Sequence, residues 1–178
     1  MRKIQEEFGK DLKVEWQSFL LRPEPRENTL EEFKRYTESW KRPAGMEKGA
    51  VFRVWATEEG PPSHSFPPHQ AAKVAAHLDS AAFDKFHDRL MKAYFTENRN
   101  ITDIKVLREL WDELELPIEA LDQFENPEIL KEIITEHNAA INNGVTGVPA
   151  VFMEGLPSAI VGAQEEDVYR RLVRRALQ

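Results

Sequence analysis

The stretch "GVTGVPAVFMEG", residues 144–155, places a proline at the mouth of a strand-like run. Pro149 has no N–H to give a sheet ladder, and its ring fixes φ, so it belongs at a strand start, an edge or a special turn. Just upstream, Gly144 and Gly147 interrupt any helix arriving from that side. The local grammar is therefore a helix that stops, a proline-stiffened turn and then a short buried strand, "PAVFMEG". Gly155–Ser158 reads as a turn and "AIVGAQ" as a second strand, so the simplest join is an antiparallel hairpin.

The rest of the chain sets this hairpin among helices. Residues 1–10 read as a helix, with Ile4 and Phe8 one turn apart and Gly9 as its stop. "LKVEWQSFLL" (12–21) alternates and is rich in strand formers, which predicts a strand ended by Pro23 and Pro25. Thr29 and Glu32 form a capping box before Leu30, Phe33 and Trp40, and Pro43 is expected to close that helix. "AVFRVWAT" (50–57) fits a short strand or an extended connection, and 58–68 is a proline-rich turn. From about 67 to 143 helices follow one another. Their faces are Ala71, Val74, Ala75 and Leu78; then Phe83, Phe86 and Leu90; then Ile104, Leu107, Trp111 and Leu114 after a Thr102 cap. Pro117 starts a short helical turn, and Asn126-Pro127 opens the last helix of the block. Gln164–Gln178 is a final helix with Val168, Leu172, Val173 and Ala176 inward and its arginines outward.

Composition excludes several functions. The formal net charge is −7, from 24 Lys+Arg and 31 Asp+Glu, which argues against nucleic acid or an anionic membrane as partner. No apolar run reaches the ~20 residues of a membrane span, and the first residues lack a signal-peptide core, so a cytoplasmic location is expected. The chain has no cysteine, which removes disulfides, thiolate metal sites and thiol catalysis by these 178 residues. The five histidines show no paired ligand spacing beyond His87 with Asp84 and Asp88, so no metal is expected. Ser63-His64-Ser65 lacks the surroundings of a nucleophilic serine, because adjacent residues rarely aim at each other. Trp16, Trp40, Trp55 and Trp111 all read as packing residues. The acids of the carboxylate-rich helices 29–41 and 103–115 lie mostly on polar faces, which does not make a glycosidase pair.

Three blocks resemble one family. "VEWQSFLLRP", "AYFTENRNITDIKVLREL" and "NNGVTGVPAVFMEG…IVGAQ" are similar, in this order and spacing, to the DsbA-like group of the thioredoxin superfamily. That group includes FrnE-type proteins, 2-hydroxychromene-2-carboxylate isomerases and kappa-class glutathione transferases. The resemblance implies an α/β thioredoxin-like fold made by 1–60 and 144–178, with an inserted α-helical domain at 61–143. It implies a cis Val148–Pro149 bond, a form that costs X–Pro only about 1 kcal/mol, with Val148 and Pro149 as substrate-binding residues. It also implies thiol–disulfide oxidoreductase activity in the family, carried by a Cys-X-X-Cys that this chain does not contain. Met1-Arg-Lys-Ile-Gln-Glu-Glu matches the later turns of the family's first helix. The first strand and active-site loop therefore have no counterpart, a difference of roughly 15–25 residues. The chain as given is expected to be inactive in redox chemistry, with no cofactor and with glutathione as a possible co-substrate. Glutathione-dependent transfer or isomerisation, and non-catalytic peptide binding on the cis-proline loop, stay open as alternatives. Unpaired strand neighbours each cost on the order of 1–3 kcal/mol, so "AVFRVWAT", a further segment of a longer protein or a second copy in a homodimer is expected to close the sheet.

Overall fold

The computed structural model describes residues 1–45 and 51–177, which divide into two compact units. One is Met1–Phe19 with the chain from Ile133 onward; the other is Leu20–Glu132. Ala50, the first residue of the expected segment 50–57, and Gln178, the last of the expected final helix, lie outside the described residues.

The second unit is helical. Helix α2 (Leu30–Thr37) begins with the capping box: Thr29 Oγ1 accepts from the Glu32 N–H at 3.2 Å, and Glu32 Oε2 accepts from the Thr29 N–H at 3.0 Å. It ends earlier than Pro43 would require. Thr37 Oγ1 donates to Lys34 O at 2.9 Å, and the chain tightens into a 3₁₀ turn, Glu38–Trp40, before the short α3 (Lys41–Ala44) that contains Pro43. The same hydroxyl accepts from the buried Trp55 N–H at 2.9 Å.

That bond helps to explain why Val51–Thr57 is an extended connection and not a strand. Several of its main-chain groups are bonded by side chains and a helix end. The Arg53 N–H donates to Phe95 O at 2.8 Å, and Arg53 O accepts from Asn98 Nδ2 at 3.1 Å. The Ala56 N–H donates to Asn98 Oδ1 at 3.0 Å, and Thr57 Oγ1 donates to Asn98 O at 2.8 Å. Asn98 does this from the left-handed region, φ 55°. The segment is thus bonded within the helical unit. Around it lies an aromatic cluster: Phe33 and Trp55 at 5.0 Å, Trp40 and Tyr94 at 5.1 Å, and Trp40 and Phe95 at 5.0 Å, all edge-on.

Helices α4 (Phe66–Leu78), α5 (Ser80–Phe95) and α6 (Ile104–Asp112) follow the expected faces, with Ala71, Val74, Ala75, Phe86, Leu90, Leu107 and Trp111 buried. Leu78 and Ile104 lie at the exposed margin of their stripes. The cap of α6 is Asp103, whose Oδ1 accepts from the Lys105 N–H at 2.8 Å. Thr102, the expected cap, instead bonds Asn100 and accepts from the Ser63 N–H. A 3₁₀ turn (Ile118–Gln123) follows Pro117, and α7 (Pro127–Asn142) opens with Asn126 Oδ1 accepting from the Glu128 N–H at 2.9 Å.

In the first unit, α1 (Arg2–Phe8) and α8 (Glu166–Ala176) pack Ile4 against Tyr169 and Val173, with Met1, Phe8 and Leu12 alongside. Tyr169, not Ala176, is the second anchor of α8, and Ala176 is exposed. Arg170 is drawn inward to a two-bond pair with Glu7 at 2.7 and 3.0 Å. Strands β1 (Ala150–Val151) and β2 (Ile160–Val161) form the antiparallel hairpin, pairing Ala150 with Val161 and Val151 with Ile160. Residues 12–19 take up no regular secondary structure and form no strand ladder among the described residues, against the strand expected at 12–21. An alternating sequence becomes a strand only with a neighbour to bond. Here the main chain is held in part by a side chain: the Ser18 N–H donates to Glu136 Oε2 at 2.6 Å. Trp16 also departs from expectation. It is 37% exposed, with the Arg2 guanidinium 5.4 Å above its ring.

Thr37→Val keeps the volume and removes the acceptor of the buried Trp55 N–H. It should cost about 1–3 kcal/mol, read as a lower midpoint in chemical denaturation.

Candidate functional site

The Val148–Pro149 junction is built from the end of α7 downward. Gly144, at φ 78°, turns the chain out of the helix, and its N–H donates to Ile141 O at 2.9 Å. Val145 then plugs inward, buried, with its N–H on Ala140 O at 3.0 Å. Gly147 has an ordinary φ and open space where a Cβ would stand, so no steric reason in the chain demands glycine there. The Val148–Pro149 peptide bond is cis.

The hairpin register fixes what each residue beyond that point offers. The Gly162 N–H donates to Pro149 O at 2.8 Å, which makes 149–162 a hydrogen-bonded position of the ladder. Alternation makes Val151–Ile160 the next such position and Ala150–Val161 a non-bonded one. Pro149 therefore faces β2 with the carbonyl it has, and Val148 lies one residue back, in the bend that leads into β1. Val148 is 51% exposed, and its main chain makes no hydrogen bond among the described residues. The side chains alternate as well: Val151, Met153 and Ile160 pack on the Ile4–Tyr169–Val173 core, while Val148, Phe152 and Val161 stand exposed. The sequence pointed to Val148 and Pro149. It did not point to Gly162, whose φ of 85° ends β2 and aims its N–H.

The other polar candidates assemble less. Ser63 Oγ and His64 Nδ1 do meet, at 2.8 Å, contrary to the expectation for neighbours. Among the described residues, however, no carboxylate bonds that imidazole, and Ser63's main chain is taken up by Thr102 and Arg26. His87 Nδ1 lies 3.9 Å from Asp88. No group of three or more metal-ligating side chains occurs among the described residues. A charged cluster lies within the helical unit: Lys73 Nζ on Glu132 Oε1 at 2.9 Å and His77 Nε2 on Glu132 Oε2 at 2.8 Å. Burial pushes the Glu132 carboxyl up, but the hydrogen bonds and charges of Lys73 and His77 outweigh it and hold the group below the usual range. Beside His77 a cleft of about 200 Å³ is lined by Val74, Leu78, Ala120 and Ile129.

A helix-ending glycine, a cis-proline turn and an antiparallel hairpin backed by a terminal helix define a thioredoxin-like fold, here with a helical insertion and a small two-stranded sheet. The model of the DSBA-like thioredoxin domain matches residues 1–174, and the chain belongs to that family of thiol–disulfide oxidoreductases. Among solved structures it is similar to one from Nitrosomonas europaea, provisionally described as a protein disulfide isomerase, at 16% identity. That match has a TM-score of 0.84 and covers 99% of this chain and 87% of the other. It is also similar to the cytosolic disulfide reductase DsbM from Pseudomonas aeruginosa, at 20% identity and TM-score 0.74, covering 99% and 89%. The same reductase with GSH gives 21% identity and TM-score 0.75 over the same shares. At these identities the likeness is one of fold. A search of curated proteins gives no match.

Two expected outcomes test the architecture. Gly144→Ala should cost about 1 kcal/mol because it forces a side chain into φ > 0, whereas Gly147→Ala should stay within about 0.5 kcal/mol of the parent; paired denaturation curves give both. The lowered Glu132 pKa means that its contribution to stability is present above the unfolded carboxyl range and is lost as pH falls through the folded value. The melting temperature should therefore fall less steeply on acidification in Glu132→Gln than in the parent.

Proposed function

We propose that this chain performs the docking half of DsbA-like thiol–disulfide chemistry, holding glutathione or an extended cysteine-bearing peptide against Val148 and Pro149 without supplying a thiolate. The observation that carries this reading is the exposed Val148, whose main chain makes no hydrogen bond among the described residues, in a family member without cysteine. A peptide-like ligand lying antiparallel to Val148 gains one N–H and one carbonyl, the mode by which extended segments add to a strand edge. Family reactions proceed by thiolate attack on a disulfide sulfur, with the displaced thiolate leaving. In this chain both sulfurs belong to other molecules or segments, and the residues here hold and orient.

Glutathione is favoured by its small peptide-like body and by the DsbM neighbour whose structure contains GSH. The cytosolic origin of that neighbour supports a cytoplasmic setting. No helix among the described residues is long and apolar enough to cross a membrane.

Amide shifts on titrating the isotope-labelled chain with reduced glutathione, then with a cysteine-bearing peptide, should be largest at Gly147 and Val148. Shifts absent from that loop with both ligands would remove the proposal. In an insulin-reduction assay the 178-residue chain should give no rate above background, and a clear rate would show a chemistry this reading does not contain.

A further inference from the structure

The helical unit holds a cleft of about 200 Å³ that ligand docking at Val148 does not use. Its floor is apolar: Val74 and Leu78 from α4, Ala120 from the 3₁₀ turn after Pro117, and Ile129 from α7. An apolar cavity of about 150 Å³ takes up benzene, so there is room here for one six-membered ring with a short substituent. Three polar side chains, His77, Gln123 and Asn126, complete the lining. The hydrogen bonds they already make decide which of their atoms are left for a ligand.

His77 Nε2 lies 2.8 Å from Glu132 Oε2, and the same carboxylate holds Lys73 Nζ at 2.9 Å. An ionised carboxylate only accepts, so Nε2 carries the hydrogen and Nδ1 of the neutral ring is an acceptor. Among the described residues that Nδ1 has no partner. The amides are in the opposite condition. Gln123 Oε1 accepts from Asn126 Nδ2 at 2.7 Å, and Asn126 Oδ1 accepts from the Glu128 N–H at 2.9 Å. Both amide oxygens are thus in use, and Gln123 Nε2 remains a donor with no partner among the described residues. Above its apolar floor the cleft therefore offers one acceptor and one donor. The surrounding charge excludes one ligand class: from Pro117 to Glu132 the chain carries five carboxylates and one lysine, a field that disfavours anions. We infer that this cleft binds a small uncharged alcohol on a single ring, of which benzyl alcohol is the simplest, with its hydroxyl donating to His77 Nδ1 and accepting from Gln123 Nε2. An ammonium in the hydroxyl's place satisfies the imidazole but sets its hydrogens against those of the amide. A methyl group satisfies neither, and a carboxylate meets both the acidic surroundings and the lone pair of Nδ1. The inference is independent of Val148, and a failure of glutathione to dock there leaves it standing.

Titration of the isotope-labelled full chain at neutral pH with benzyl alcohol, toluene, benzylamine and benzoate, followed by nuclear magnetic resonance, tests this. Benzyl alcohol should move the Val74, Ala120 and Ile129 signals and saturate. It should bind about fivefold tighter than toluene, the effect of ordinary hydrogen bonding, and tighter than benzylamine or benzoate. His77→Phe and Gln123→Leu should each remove most of the alcohol's advantage while toluene still binds, which a folding defect would not allow. Gln123 is exposed, so its variant decides the matter even where the loss of His77 from Glu132 upsets the fold. Ala120→Met fills the cleft and should abolish binding of both. An alcohol that leaves these signals unmoved overturns the inference. So does one that binds no better than toluene or benzylamine, and so does an advantage that survives in the Gln123 variant.

Discussion

One hydrogen bond organises the end of this molecule: the Gly162 N–H on Pro149 O at 2.8 Å. Proline in a strand is tolerable only where its absent donor is not needed. By bonding through its carbonyl, Pro149 fixes the phase of the ladder, because strand residues alternate which side they bond and which side they pack. The phase decides that Val151, Met153 and Ile160 meet the core of α1 and α8, and that Val148 and Phe152 do not. A one-residue slip would exchange the two sets.

The helical unit solves the opposite problem. There the extended segment Val51–Thr57 has strand-forming residues and no strand beside it, and its polar groups are closed by Thr37, Asn98 and the end of α5. Side-chain partners for main-chain groups leave an extended segment with fewer free groups to recruit another strand. In the first unit one main-chain group of residues 12–19 is met in the same way, where the Glu136 carboxylate takes the Ser18 N–H.

The sequence made a good part of this legible. Strong periodicity and short-range chemistry located the helices, the Thr29–Glu32 box and the Gly9 and Gly144 stops, because all of these are settled within four residues. The resemblance pointed to the family and drew attention to Val148 and Pro149. Features depending on distant partners were not legible. Alternation at 12–21 announced a strand, but a ladder needs a neighbour that residue spacing cannot supply. Trp16 matched the same apolar pattern as Trp55, yet Arg2 lies over its ring and it stands partly in solvent. Thr102 was the expected cap of α6, but its hydroxyl accepts from the Ser63 N–H and Asp103 caps the helix instead.

Asn98 shows how narrowly valence can confine a position. Its amide nitrogen gives to Arg53 O, its amide oxygen takes from the Ala56 N–H, and its backbone lies at φ 55°. Aspartate would set oxygen against oxygen, glutamine would overshoot by a methylene, and glycine would suit the torsion while leaving both neighbours unsatisfied. Asparagine alone meets every one of these requirements, so drift among descendants of this chain should leave that amide in place while the surface around it changes.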